Sequence, residues 1–164
     1  MKTKAILALL FLLIILPSFS SLAQKANFSG EWKLDKEKTV LADNQLFLSG
    51  IKIQLKNDSL FTTRTYGNSI GEEYPFDENI SFDGKECRIV IYDMPRTSKA
   101  SKSEDDGSLL IESTTTFNGE YGEENLTSKE TWKIDNEGNT LIIDFINKMS
   151  AGEITGSNFY NRVK

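Results

Sequence analysis

The ionisable side chains of this 164-residue chain are carboxylates, lysines and arginines, with a single cysteine and no histidine. The lack of histidine excludes Ser-His-Asp and Cys-His nucleophile systems, HExxH zinc sites and acid–base catalysis by imidazole. The remaining chemistry is that of carboxylates paired with cations or with each other. We therefore expect a protein that is not an enzyme and that uses no cofactor or metal ion.

Arg64 and Glu130 are the most informative polar residues, because the strand pattern described below places both on a mostly apolar inner face. A buried charge is costly unless it is paired or hydrated. Three interpretations are open: the two side chains form a structural salt bridge, they contact a polar group of a ligand, or the predicted strand register is wrong. Glu112 and Glu130 also lie on neighbouring predicted strands, as the carboxylates of a glycosidase would. Glu112 is out of phase with the apolar positions of its strand, so we expect it to face solvent.

Other side chains on the same inner face are suited to a ligand. Tyr66 and Tyr160 can supply hydroxyl groups and Trp132 an apolar wall, although aromatic residues on strands more often belong to the core. The predicted ligand-binding residues are Arg64, Tyr66, Glu130, Trp132 and Tyr160. Cys87 alternates with isoleucines along one strand, so we interpret it as a buried apolar residue rather than a reactive thiol.

Strands must position these residues. Apolar and polar residues alternate throughout the chain after Ala23, with turn signals about every 10 to 12 residues. The pattern predicts an all-β, antiparallel, up-and-down meander, most simply closed into a β-barrel of 8–10 strands. The long link Asp35–Ser49 could hold one short helix around Val40–Phe47. The predicted strands are Gly30–Leu34, Gly50–Lys56, Ser59–Tyr66, Glu78–Phe82, Glu86–Tyr92, Thr97–Ser103, Leu109–Phe117, Asn125–Ile134, Thr140–Asn147 and Glu153–Val163.

Tight hairpins assign the strand faces, since directly opposed residues point to the same side of a sheet. Turn residues such as Asn57-Asp58 tolerate the positive φ angles that these hairpins need. A two-residue loop there places Arg64 on the inner face. The predicted opposed pairs are Leu55 with Leu60, Ile134 with Leu141, Trp132 with Ile143 and Glu130 with Phe145, and the Asp83-Gly84 turn joins two further strands as a hairpin.

The first residues are typical of a targeting segment. Lys2 and Lys4 precede an unbroken apolar run from Ala5 to Leu16, and small residues at −3 and −1 suit cleavage after Ala23. We therefore predict a signal peptide over 1–23 and one exported domain over 24–164, in the periplasm or outside the cell. The net charge of −5 becomes more negative once the leader is removed, which argues against a nucleic-acid partner.

The start of the predicted domain, Phe28-Ser29-Gly30-Glu31-Trp32-Lys33-Leu34, resembles the F-x-G-x-W-K-L opening of the calycins, that is, the lipocalins and fatty-acid-binding proteins. The end of the chain, Phe159-Tyr160-Asn161-Arg162-Val163, resembles the segment of those families whose arginine lies across the tryptophan. The resemblance implies a lipocalin-like barrel, similar to small proteins exported by Gram-negative bacteria, with Gly30, Trp32 and Arg162 closing its floor. The R-x-Y pattern that binds fatty-acid carboxylates is reversed here, so that site does not transfer.

These observations predict an exported, non-enzymatic barrel that binds a small apolar or amphipathic molecule in its interior. Burial would supply affinity, and Arg64, Glu130 and a tyrosine would orient the ligand. The alternative is a protein-binding barrel, either an exported inhibitor or an envelope interaction module, whose interior is filled by its own side chains. A ligand pocket of about 300 Å³ or more would favour the first hypothesis. In either case we expect a monomer with no membrane-spanning segment after cleavage.

Overall fold

A computed structural model describes residues 26–40, 46–119, 122–135 and 137–164, and every regular element in these ranges is a β-strand. The predicted signal peptide lies outside the described residues. Most of the predicted helix Val40–Phe47 also lies outside the described residues, and its last residue, Phe47, begins a strand. None of the described residues forms a helix long and apolar enough to cross a membrane. The strands are β1 (Gly30–Leu34), β2 (Phe47–Lys56), β3 (Ser59–Gly67), β4 (Glu73–Ser81), β5 (Cys87–Ile91), β6 (Met94–Lys102), β7 (Leu109–Gly119), β8 (Gly122–Ile134), β9 (Thr140–Met149) and β10 (Gly152–Arg162).

The ten strands form one antiparallel sheet in the order β4-β3-β2-β1-β10-β9-β8-β7-β6-β5. Strands that are consecutive in sequence therefore pair, except β4 and β5, and β1 joins the first and last parts of the chain by pairing with both β2 and β10. The sheet curls into a nearly closed barrel. This confirms the predicted all-β, up-and-down architecture.

The hairpin registers confirm the predicted strand faces. Leu55 is opposite Leu60 across the β2–β3 turn, where Asn57 has a φ of 52°. On the other side of the barrel, Glu130 is opposite Phe145. Because side chains alternate along a strand, these registers bring the predicted inner residues into one interior.

The predicted hairpin between β4 and β5 is wrong. These strands are the two ends of the sheet, and no backbone ladder joins them. Glu78 of β4 reaches past β5 and contacts Arg96 of β6, so that side chains bridge this side of the barrel. The Tyr92 hydroxyl, in the β5–β6 turn, also donates a 2.8 Å hydrogen bond to the carbonyl oxygen of Pro75. We call this unpaired β4–β5 boundary the seam.

One end of the interior is a packed apolar core. Its fully buried side chains come from strands all round the barrel, which makes this half solid and leaves no large inner surface in water. The members with the least exposure are Phe28, Trp32, Ile51, Ile53, Leu60, Ile80, Leu109, Ile111, Trp132 and Leu141.

The packed end is closed by Arg162 and Trp32. The guanidinium carbon of Arg162 lies 4.1 Å from the centroid of the Trp32 ring, a cation–π contact. Its nitrogens donate to three backbone carbonyl oxygens, those of Asn27, Ser29 and Gly138, at 2.7–2.9 Å. Gly30 has a φ of 143°, and a Cβ atom there would lie 2.6 Å from Arg162 Nη1. A glycine is therefore required on two grounds, backbone conformation and space.

Gly30→Ala should consequently lower the free energy of unfolding by more than backbone strain alone, which is about 1–3 kcal/mol for a disfavoured φ. The matched control is Gly152→Ala, because Gly152 has a φ of 139° but open space where a Cβ atom would lie. Urea unfolding followed by tryptophan fluorescence measures both. Equal losses in the two variants would show that Arg162 does not need the space at Gly30.

Candidate functional site

The structure brings the five predicted ligand-binding residues together in the barrel interior. Arg64 and Tyr66 lie on β3, Glu130 and Trp132 on β8, and Tyr160 on β10. Arg64, Trp132 and Tyr160 are completely buried, and Glu130 is 8% exposed. Tyr66 is half-buried, nearer the end of the barrel that holds the β3–β4 turn.

Arg64 and Glu130 form a buried, hydrogen-bonded ion pair. Arg64 Nη1 lies 2.9 Å from Oε1 and 3.0 Å from Oε2 of Glu130. The indole Nε1 of Trp132 donates to Oε2 of the same carboxylate at 2.8 Å. The guanidinium carbon of Arg64 is also 5.1 Å from the centroid of the Trp132 ring. Trp132 thus orients both partners, in addition to forming an apolar wall.

A second ion pair, which the sequence analysis missed, lies beside the first. Arg96 Nε is 3.0 Å from Oε1 of Glu78, and Ser98 Oγ donates to the same oxygen at 2.6 Å. Oε2 of Glu78 faces Arg64 Nε at 3.8 Å, which is a charge contact beyond hydrogen-bond distance. Both residues are less than one tenth exposed. We call Arg64, Glu78, Arg96 and Glu130 the buried quartet.

Part of this second pair was detectable. Glu78 is two residues before the inner residue Ile80, so alternation alone places it inside. Arg96 is opposite Ile89 in a hairpin whose turn residues are Tyr92 and Asp93, with φ of 47° and 66°. A tyrosine at positive φ is not a turn signal. The sequence therefore did not predict the register that turns Arg96 toward the interior.

The ion pairs favour the charged forms of Arg64 and Glu78. Burial alone would lower the pKa of Arg64, but the carboxylates of Glu130 and Glu78 outweigh it and raise that pKa above its usual range. Burial alone would also raise the pKa of Glu78, yet Arg64 and Arg96 hold it below its ordinary value of 4.5. Burial raises the pKa of Tyr160, with Tyr66 and Glu130 adding to the effect, so its hydroxyl stays protonated.

Several polar atoms in this layer have no hydrogen-bond partner among the described residues. They are Nε and Nη2 of Arg64, Oε2 of Glu78, Thr62 Oγ1 and the Tyr160 hydroxyl. Buried polar groups in proteins are nearly always paired, so a cluster of unpaired ones is unusual. Arg64 Nη2 and the Tyr160 hydroxyl therefore have hydrogen-bonding capacity that the described residues leave unused.

At the opposite end of the interior, the described residues leave apolar side chains partly exposed. The short β1 ends at Leu34, opposite Tyr160, so the part of β10 nearest the β9–β10 turn pairs only with β9. Ile154 in this part is inward-facing but 50% exposed. A layer of half-buried inner side chains lines the opening, which we call the mouth layer: Tyr66, Phe76, Phe117, Leu126 and Phe145.

Two concavities adjoin this site, the first lined in part by Arg96 and the second in part by Phe117. One, of about 430 Å³, covers β5, β6 and β7 and is lined by residues such as Val90 and Thr114. The other, of about 270 Å³, lies at the rim beside Met94 and Phe117. Neither is lined by Arg64 or Glu130.

Metal or thiol chemistry finds little support in this site. Within the described ranges, no group of three or more aspartate, glutamate or cysteine side chains is arranged to hold a metal ion. Cys87 is half-buried and its thiol is free. The arrangement is instead suited to non-covalent binding, with a charged and hydroxyl-bearing floor beneath an apolar opening.

No family model matches the chain, and neither curated proteins nor solved structures show a significant match. The calycin resemblance therefore stays a prediction from the two terminal motifs.

Removal of one partner from the quartet should be more damaging than removal of a balanced pair. Arg64→Met leaves two buried carboxylates opposed by Arg96 alone, so we expect a loss of about 3–5 kcal/mol in the free energy of unfolding. Adding Glu130→Gln restores the balance and retains an acceptor for Trp132, which should recover at least about 1 kcal/mol. Lys129→Met, on the exposed face of β8, is the control and should cost less than about 1 kcal/mol. Urea unfolding tests this, and additive losses in the double variant would contradict the coupling.

Glu78 should make stability depend on pH. Since its folded pKa is lowered, its contribution is complete above about pH 4.5 and is lost as the pH falls through the folded value. Glu78→Gln should therefore be less stable than the wild type by about 3 kcal/mol near neutral pH, with a smaller difference below about pH 4. Urea unfolding of both proteins across this range gives the difference. A difference that does not change with pH would show that folding does not lower the pKa of Glu78.

Proposed function

We propose that this protein is an exported, non-enzymatic, lipocalin-like barrel that binds a small apolar or amphipathic molecule through its open end. One observation carries the proposal: the completely buried Arg64 Nη2 and Tyr160 hydroxyl groups lack hydrogen-bond partners among the described residues and lie beneath a half-exposed apolar end of the barrel. A protein optimised only for stability would pair those groups or replace them with apolar residues. A ligand entering through the mouth layer would satisfy them.

The two layers have different roles in this proposal. The apolar part of the ligand lies against the mouth layer, where each buried CH₂ group contributes about 0.8 kcal/mol. The polar part reaches Arg64 Nη2 and the Tyr160 hydroxyl, which fix its depth and orientation. The quartet holds Arg64 in place through Glu130 at 2.9 Å, so little conformational entropy is lost on binding.

Export and family are part of the proposal. The leader over 1–23 supports a periplasmic or secreted location, and the opening and closing motifs support a calycin-like barrel. No histidine is available as a general base at neutral pH, which supports binding without turnover. We propose a monomer whose partner is the ligand, with no cofactor and no nucleic acid.

A second candidate is a protein-binding barrel, and the packing of its centre favours it. Trp32, Arg64, Trp132 and Tyr160 are among the largest fully buried side chains and fill the middle of the barrel. Apolar side chains are also exposed on the turns of the open end, with Ile70 at 78% and Tyr92 at 57%. Such residues suit a contact with another protein. A crystal structure with an interior volume well below about 300 Å³ would favour this candidate.

Uptake of the neutral dye Nile red tests the ligand carrier. The purified protein should bind it with enhanced fluorescence, and native mass spectrometry should detect small-molecule adducts. Leu126→Arg puts a charge in the mouth layer and should reduce uptake by at least about tenfold, since a buried charge is costly. Thr127→Arg adds the same charge at the exposed neighbouring position and should leave uptake unchanged.

Two results would contradict the carrier. No dye binding and no adduct in the wild type would remove its main support. Equal uptake by the two arginine variants would place the dye on the outer surface.

A further inference from the structure

We infer that the polar group of the bound molecule is uncharged and can both accept and donate hydrogen bonds, as a primary alcohol or primary amide does. This inference rests on the proposed carrier function and specifies its ligand class. It follows from two properties of the buried layer, namely its charge balance and the kinds of polar atom left unpaired.

The charges of the buried quartet already cancel. Arg64 and Arg96 contribute two positive charges, and Glu78 and Glu130 contribute two negative ones. Contacts of 2.9 Å, 3.0 Å and 3.8 Å connect the four side chains into one chain. All four are at most 8% exposed, so water screens them little. The layer as a whole is neutral.

A charged head group would upset this balance. An ionised carboxylate beside Arg64 would leave a net negative charge in a buried layer, with Glu78 and Glu130 close by. An ammonium group would leave a net positive one. Every charge of the quartet is already paired, so neither the carboxylate nor the ammonium group would find a free counter-charge. Each would lose its hydration without full compensation. A neutral polar group avoids this cost.

The unpaired atoms show what the neutral group should provide. Arg64 Nη2 can only donate, so it needs an acceptor oxygen. Glu78 Oε2 can only accept, because the carboxylate is ionised, so it needs a donor. The hydroxyls of Thr62 and Tyr160 can do either. A hydroxyl or primary amide supplies both kinds of atom, whereas an ester or ketone supplies only the acceptor.

Displacement of Nile red by four ten-carbon compounds tests the inference in the wild-type protein. The compounds are 1-decanol, decanamide, decanoate and decylammonium at neutral pH, each below its solubility limit or critical micelle concentration. The alcohol and the amide should displace the dye at concentrations at least about tenfold lower than either ion. Decanamide and decanoate share one alkyl chain, and 1-decanol and the decyl cation share another, so each neutral compound is compared with an ion of the same chain length.

Variants should change the preference in a predictable direction. Glu130→Gln gives the quartet a net positive charge, so the half-displacement concentration of decanoate should fall by at least about tenfold, with little change for decanol. Glu112→Gln makes the same substitution on the exposed face of β7 and should leave both unchanged. Circular dichroism checks that each variant is folded. The wild-type series alone decides the question if Glu130→Gln does not fold.

The outcomes separate the two proposals. Displacement by no compound, or no dye binding, would overturn the carrier function. Displacement by all four at similar concentrations, or most strongly by decanoate, would overturn the neutral head group and leave the carrier function intact. A decanoate preference that does not change in Glu130→Gln would show that the quartet does not set ligand charge.

Discussion

The structure depends on a balanced set of charges inside a β-barrel. Arg64 is completely buried and is the residue that connects the two ion pairs, through Glu130 at 2.9 Å and Glu78 at 3.8 Å. A one-residue slip of any strand that carries a member would turn that charge outward and leave its partner alone in the interior. The quartet therefore opposes alternative registers of β3, β4, β6 and β8, in addition to stabilising the native one.

The same interaction compensates for incomplete closure. A fully closed barrel has no sheet edge, but this one has a seam where β4 and β5 share no ladder. Glu78 spans the seam to Arg96 and Ser98, and the Tyr92 hydroxyl reaches Pro75 farther along it. Side-chain bonds thus replace the missing backbone bonds. The residues that bridge the seam are therefore partly the same as those that carry the unpaired polar atoms of the interior.

Local pattern was sufficient to predict the strands and most of the inner face, since alternation and hairpin turns are properties of neighbouring residues. Arg64, Glu130 and Trp132 were placed inward on this basis. Arg96 was not, because its register depends on a turn that begins with Tyr92, and a tyrosine does not indicate positive φ. The seam and the open end could not be predicted either. They depend on strand number, tilt and stagger around the whole barrel, which no local window contains.

The interior is divided into three layers: a packed apolar core, the buried quartet and the half-buried mouth layer. Below the quartet, the two tryptophans and their apolar neighbours pack against one another. The guanidinium carbon of Arg162 closes that end, 4.1 Å from the centroid of the Trp32 ring. Above it, β1 ends early and the inner side chains remain half-buried. The quartet marks the boundary, because charges that satisfy one another can form the floor of a cavity without water or a ligand to neutralise them. In the function proposed above, the donors and acceptors that remain unpaired would select the polar group of the ligand.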